Sequence, residues 1–206
     1  MSDRRRLARR LSACEPFDEP RVDLEQYPTP AEIAAELVHT AALQGDLAGR
    51  TVVDLGTGTG VLALGAATRG PDRVIGVDRD RAALSIAREN ATRVDPESPV
   101  HWVQGDARRP GLRGPATVLS NPPFGAQAGA EHADREFLAT AASIATVSYS
   151  IHNAGSESFV HSFVDDHGGR VTHAWETAFP IDRQFAFHEA DRHEIDVEIY
   201  RIAWTD

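Results

Sequence analysis

Short apolar runs alternate with stretches in which apolar residues fall three and four apart, and this alternation covers most of the chain. Thr51–Leu55, Arg73–Val77, Val100–Val103 and Ala116–Leu119 are compact apolar runs bounded by glycine, proline or aspartate, the pattern of buried parallel strands. Between them Val61, Leu62 and Leu64 keep helical spacing up to about Gly70, and Leu84, Ala87, Ala91 and Val94 keep it after Asp80, which caps that helix. A helix is expected around Asp134–Ser143, a strand over Ala145–Ile151, and a helix over Asn153–Asp166 with Phe159, Val160, Phe163 and Val164 apolar. Val171, His173, Trp175, Thr177 and Phe179 alternate as a strand, residues 180–192 read as a long loop, and Ile195, Val197 and Ile199 alternate in a last strand running to Trp204. Ahead of this core, Leu7, Leu11 and Cys14 mark a short amphipathic helix over residues 4–14. A second helix starts at Thr29-Pro30, with a capping box from Thr29 to Glu32, buries Ile33, Leu37 and Thr40-Ala41, and stops at Gly45.

Five βα-type units followed by an antiparallel hairpin predict an α/β fold. It is a Rossmann-like, seven-stranded, mostly parallel sheet with helices on both faces. The expectation is one domain over 1–206, with residues 1–45 as an N-terminal helical segment and 46–206 as the Rossmann-like core.

The chemistry gathers at the strand ends, where open α/β sheets bind ligands. Thr51–Leu55 leads into Gly56-Thr57-Gly58-Thr59-Gly60 and then a helix from Val61, and the glycines let a ligand approach the backbone. Asp54, just before that turn, would discourage a pyrophosphate but suits the ammonium of a methionine moiety and its sulfonium. Asp78 ends the second strand, 18 residues past Gly60, where an acid accepts the hydroxyls of an adenosyl ribose. Asp106 follows the third strand and could accept from an adenine amino group, with the Ala107 N–H facing the ring. Each acid alone fits a cap or a turn; three at successive strand tips form a constellation.

Asn121-Pro122-Pro123-Phe124 closes the fourth strand. Neither proline can continue a strand, so the chain turns rigidly there. The Asn121 side chain and the Pro122 carbonyl can accept the two N–H groups of a planar exocyclic amine while Phe124 stacks on its ring. Pulling those hydrogens out of plane favours the tetrahedral nitrogen of a methyl-transfer transition state. The plain alternative is a proline-rich turn with a core phenylalanine. Gly125–Ala133, rich in glycine and alanine, reads as a lid.

Composition narrows the setting. The net charge is −10, yet all 21 basic residues are arginine. That balance suits a protein dissolved in concentrated salt, where screening mutes self-repulsion, although a GC-rich genome would also replace lysine by arginine. A single cysteine, Cys14, excludes an intrachain disulfide and fits a reducing cytoplasm. No apolar run would span a bilayer, no signal peptide is visible, and no metal-ligand set is read. Arg4, Arg5, Arg6, Arg9 and Arg10 give the first helix a basic face, which fits equally a solvated face and a contact to RNA phosphate.

Taken together, these segments resemble the methyltransferase-like protein 5 family, which makes N6-methyladenosine in small-subunit ribosomal RNA. The resemblance runs through Leu24-Glu-Gln-Tyr-Pro-Thr29, Asp54-Leu-Gly-x-Gly-x-Gly-Val61, Asn121-Pro-Pro-Phe-Gly125, Tyr149-Ser-x-His152, Phe187-His188 and Asp196-Val-Glu-x-x-x-Arg201. It implies S-adenosylmethionine as cofactor, held by Gln26, Thr29, Gly56, Thr59, Val61, Asp78, Asp106 and Ala107, with Asn121 to Phe124 holding the adenine. It also implies a small zinc-containing activator subunit. The edge strand Val100–Val103 is a surface on which a partner strand could add, unless Trp102 simply packs beneath the following helix. Two departures stand out. The family's lysine-rich run after Phe-His is here Glu189-Ala190-Asp191, and its lysine-bearing loop after Asn-Pro-Pro-Phe-Gly is here Ala126–Ala130. Phe187 and His188 equally fit core packing. Two rival readings are a methyltransferase acting on a protein glutamine amide, whose nitrogen is also conjugated, and a catalytically silent RNA-binding scaffold. The intact acids and the intact Asn-Pro-Pro-Phe oppose the scaffold reading.

Overall fold

Each apolar run becomes a strand of one sheet. The computed structural model describes residues 2–21, 24–123, 133–182 and 192–205. The strands are β1 (Thr51–Leu55), β2 (Arg73–Asp78), β3 (Val100–Gln104), β4 (Ala116–Ser120), β5 (Ala145–Asn153), β6 (Gly169–Asp182) and β7 (Arg192–Trp204), in the order β3-β2-β1-β4-β5-β7-β6. Strands β1 to β5 run parallel, and β7 lies antiparallel between β5 and β6. The direction of winding reverses between β1 and β4, which puts the crevice of the sheet at their carboxyl ends.

Alternation within β1 shows how the two faces are filled. Val52 joins the cluster packed by α1 (Asp3–Leu11), α2 (Ala31–Leu43) and α3 (Val61–Ala67), while Val53 and Leu55 join the cluster packed by α5 (Ala133–Ile144) and α6 (Glu157–Asp166). Asp54 therefore points to the α3 face. The remaining helix, α4 (Arg81–Val94), starts on Asp80, whose Oδ1 accepts the Ala82 N–H at 2.9 Å, as its sequence suggests.

Four departures from the expected elements have local causes. No helix follows β3, because Pro110, Gly111, Gly114 and Pro115 break the stretch that leads to β4. There is no capping box at α2: Pro30 is the N-cap, and the Thr29 hydroxyl is engaged elsewhere. α6 begins at Glu157, since Asn153 still belongs to β5. The hairpin arms reach Asp182 and start again at Arg192, because the β6–β7 ladder pairs Asp182 with Arg192 across what reads as loop.

The basic face of α1 is largely spent on the fold. Arg4 lies 3.7 Å from Glu36 and Arg6 pairs with Asp3 at 3.0 Å, while Arg10 donates to the carbonyls of Val94 and Asp95 and to Glu97. Cys14 packs beside the same core, and burial pushes its thiol up to about 11, so it is no nucleophile at neutral pH.

Candidate active site

The glycine turn after β1 is built around Asp54. Its carboxylate is buried; Oδ2 accepts the Thr57 hydroxyl at 2.6 Å and the Ala63 N–H at 3.0 Å, while Oδ1 is buried without a partner. Burial raises the Asp54 pKa to about 7, against the lowering by those two bonds, and the nearby charge of Asp78 adds to the rise. A cationic group is what such an orphaned oxygen lacks. The turn itself needs glycine: Gly58 and Gly60 hold φ of +54° and +89°, and a Cβ on Gly60 would stand 2.7 Å from the Trp102 ring.

Asp78, the last residue of β2, sits beside this turn. Its Oδ2 accepts the Gly58 N–H and its Oδ1 the Asp80 N–H, both at 2.8 Å, so the acid ties the glycine turn to the start of α4. Burial raises its pKa despite both bonds. Gln26 joins the same group from far away in sequence, donating from Nε2 to Asp80 Oδ2 at 2.7 Å while its Oε1 accepts the Arg21 N–H at 2.8 Å. Asp106 is different. It is exposed and locked in a fork by Arg108, whose Nε and Nη2 donate at 2.9 and 2.7 Å, and this guanidinium holds the carboxyl down to about 2. Ala107 beside it is buried.

Beyond β4, the Asn121 amide is fixed by a residue 92 positions earlier: Nδ2 donates to Thr29 Oγ1 at 3.0 Å. That leaves Asn121 Oδ1 buried and without a partner. A buried unpaired acceptor costs about 1–3 kcal/mol, so the arrangement is that of a site waiting for a donor. Pro122 is buried and Pro123 half-buried at the same turn. Phe124, the lid expected over Gly125–Ala133 up to residue 132, and the segment with Phe187, His188 and Glu189-Ala190-Asp191 lie outside the described residues.

Asp54, the glycines, Asp78 and Gln26 thus form one bonded cluster on the α3 and α4 side, and Thr29 and Asn121 form a second at the tip of β4. Two segments of the resemblance serve the fold. Tyr149 and Arg201 both bind Asp46, at 2.5 and 2.8 Å, and Glu198 accepts the N–H groups of Gly155 and Ser156 at 2.8 and 3.1 Å, ahead of α6. His152 is buried on Ser150 at 2.8 Å. Sequence reasoning missed Asn90 and Phe17, which contact the glycine turn from α4 and from the N-terminal segment. Asn90 carries a polar signal in an otherwise apolar helix stripe; Phe17 carries none. Among the described residues no cluster of His, Cys, Asp or Glu could hold a metal ion, and no helix is long and apolar enough to cross a membrane.

A sheet of this order, with a buried carboxylate near the end of β1, a half-buried one at the end of β2 and an Asn-Pro-Pro turn after β4, defines a class I methyltransferase, which takes its methyl group from S-adenosylmethionine. The family profile of the methyltransferase small domain matches residues 33–147. The chain is 33% identical to the rRNA N(6)-adenosine-methyltransferase Mettl5 of Drosophila melanogaster, over 96% of this chain and 94% of that protein. It is 36% identical to an uncharacterised protein of Methanocaldococcus jannaschii, over 98% and 94% of the two chains. Among solved structures, a candidate RNA methyltransferase from Pyrococcus horikoshii superposes with a TM-score of 0.89 at 39% identity, covering 100% of both chains. The chain belongs to the methyltransferase-like protein 5 family of the methyltransferase small-domain proteins.

Proposed function

We propose that the protein methylates the exocyclic N6 amine of an adenosine in RNA, with small-subunit ribosomal RNA as the substrate. The observation that carries this reading is Asn121. Thr29 takes the amide nitrogen, which leaves the amide oxygen, buried and unpaired, as an acceptor for one N–H of the amine. The relatives named as rRNA adenosine methyltransferases match nearly the whole chain, which supports RNA over a protein glutamine.

When bound, S-adenosylmethionine supplies an activated methyl on a sulfonium. Asp54 Oδ1 fits its ammonium, Asp78 its ribose hydroxyls, and Gly56, Gly58, Thr59, Gly60 and Val61 line the turn it approaches. Gln26 acts through Asp80 to set the start of α4. Asp106 and Ala107 serve the adenine once the Arg108 fork shares its acid. Asn121 with Pro122, Pro123 and Phe124 holds the acceptor: accepting its N–H bonds draws the nitrogen lone pair out of conjugation and toward the methyl. The amine proton then leaves to solvent.

Labelled methyl groups should pass from cofactor to ribosomal RNA and not to protein. Asn121→Ala should lower turnover about 10²-fold or more while cofactor affinity stays near native. Label in protein, or a fully active variant, overturns the reading.

The cytoplasm is the proposed location. We also propose a small activator subunit that adds a strand to β3. β3 pairs only with β2 among the described residues, and Trp102 turns its ring inward onto Gly60 and Gly76. The ring packs under α4, and the backbone edge stays open. Co-purification at high salt is the test, and a strictly monomeric, fully active enzyme rules out an obligate partner.

A further inference from the structure

Residues 15–21 lie beside α4 and the glycine turn, and residues 24–29 reach the start of α4 and the tip of β4. Asn90 anchors the start. Its Oδ1 accepts the Glu15 N–H at 2.8 Å, and its Nδ2 donates to the carbonyls of Glu15 and Thr59, each at 3.0 Å. Asn90 is fully buried, and through two bonds to Glu15 and one to Thr59 it links the N-terminal segment to the glycine turn. Gln26 on Asp80 and Thr29 on Asn121 anchor the far end.

Between these anchors lies Phe17. An ideal Cβ on Gly58 would stand 3.0 Å from its Cζ, so the ring rests on the face of Gly58 that a side chain would block. Gly58 is also the residue whose N–H binds Asp78 Oδ2. The ring is only half-buried. A phenylalanine that merely filled the core would be enclosed, and one left at the surface would not sit on the turn that has to receive a ligand.

We propose that Phe17 is a wall of the cofactor site beside Gly58, lying against one side of the adenosyl group whose ribose Asp78 would hold, and that Asn90 is the positioning residue that keeps the ring there. An apolar ring over one side of the adenosyl group and an acid on its ribose would grip the part of the cofactor that does not react. The inference rests on S-adenosylmethionine as cofactor.

Calorimetry with S-adenosylhomocysteine and with 5′-methylthioadenosine, which lacks the amino-acid end, tests it. Phe17→Ala should weaken both ligands by the same factor, about tenfold, and Phe17→Leu by about threefold, as lost apolar contact predicts. Asn90→Asp sets a carboxylate against the carbonyls of Glu15 and Thr59. It should give the tenfold loss of Phe17→Ala although Asn90 touches no ligand. In the double variant the losses should not add, because one residue acts through the other. Native affinity in Phe17→Ala, or weakening confined to S-adenosylhomocysteine, overturns the wall; additive losses overturn the role of Asn90. Should Phe17→Ala not fold, native affinity in Phe17→Leu overturns the wall equally. A native protein that binds neither ligand would instead remove the cofactor assignment itself.

Discussion

Asp54 decides how the site responds to pH. Its pKa, raised to about 7 by burial, lies well above that of an unfolded aspartate. The folded chain therefore keeps a proton that the unfolded chain gives up between roughly pH 4 and pH 7, and this group's contribution to stability falls across that window. Cofactor binding runs the other way, because a cation needs the carboxylate. Affinity should climb as pH rises from about 5.5 and level off above about 7.5, with protons released on binding, measurable by calorimetry in buffers of different ionisation heat. Asp54→Asn should flatten both dependences. The amide oxygen can keep the bonds from Thr57 and Ala63, but an NH2 would then meet the ammonium, and affinity should fall at least about tenfold. A variant with the native pH profile would contradict this assignment. Asp54 and Asp78 were legible in the sequence because the strand-turn-helix pattern fixes where a strand-tip acid points. The fork on Asp106 was not, because neither Arg108 at i+2 nor Glu136 beyond it carries a pattern.

At the level of elements, apolar periodicity located the helices and strands, since period alone sets which residues face the sheet. It failed where long-range bonds outweigh local propensity. Thr29 looks like a helix cap by its neighbours and serves Asn121 by the fold. Asp196-Val-Glu-x-x-x-Arg201 carries part of the resemblance, and in the fold it ties β7 to the turn ahead of α6 and to Asp46. Glu198 shows this most directly, because it accepts from Gly155, Ser156 and the Tyr200 hydroxyl together. Truncating it removes the acceptor of the buried Tyr200 hydroxyl and of two part-buried N–H groups, so Glu198→Ala should lose about 1–3 kcal/mol in urea unfolding, and Glu198→Gln should recover part of it. Cofactor affinity should hold below the melting transition; a selective loss of affinity would move Glu198 into the site.

For the whole molecule, charge matters most. A net charge of −10 on 206 residues is self-repulsive at low ionic strength, and most basic side chains of α1 are already paired within the fold. Raising salt shortens the screening length from ~10 Å at about 0.1 M to ~3 Å at about 1 M. The melting temperature should rise by about 2–4 °C for each kcal/mol of repulsion relieved, and a flat or falling curve in sodium chloride would refute it.

Thr29 reaching Asn121 has one more consequence, for where the catalytic unit begins. The matched family region starts at residue 33, and a boundary drawn there looks natural because it preserves every strand. Such a cut would remove the hydroxyl that orients Asn121 and the glutamine that holds Asp80. It would leave the Asn121 amide without the bond that fixes its orientation. The segment ahead of the matched region is bonded into the strand ends where the candidate site lies.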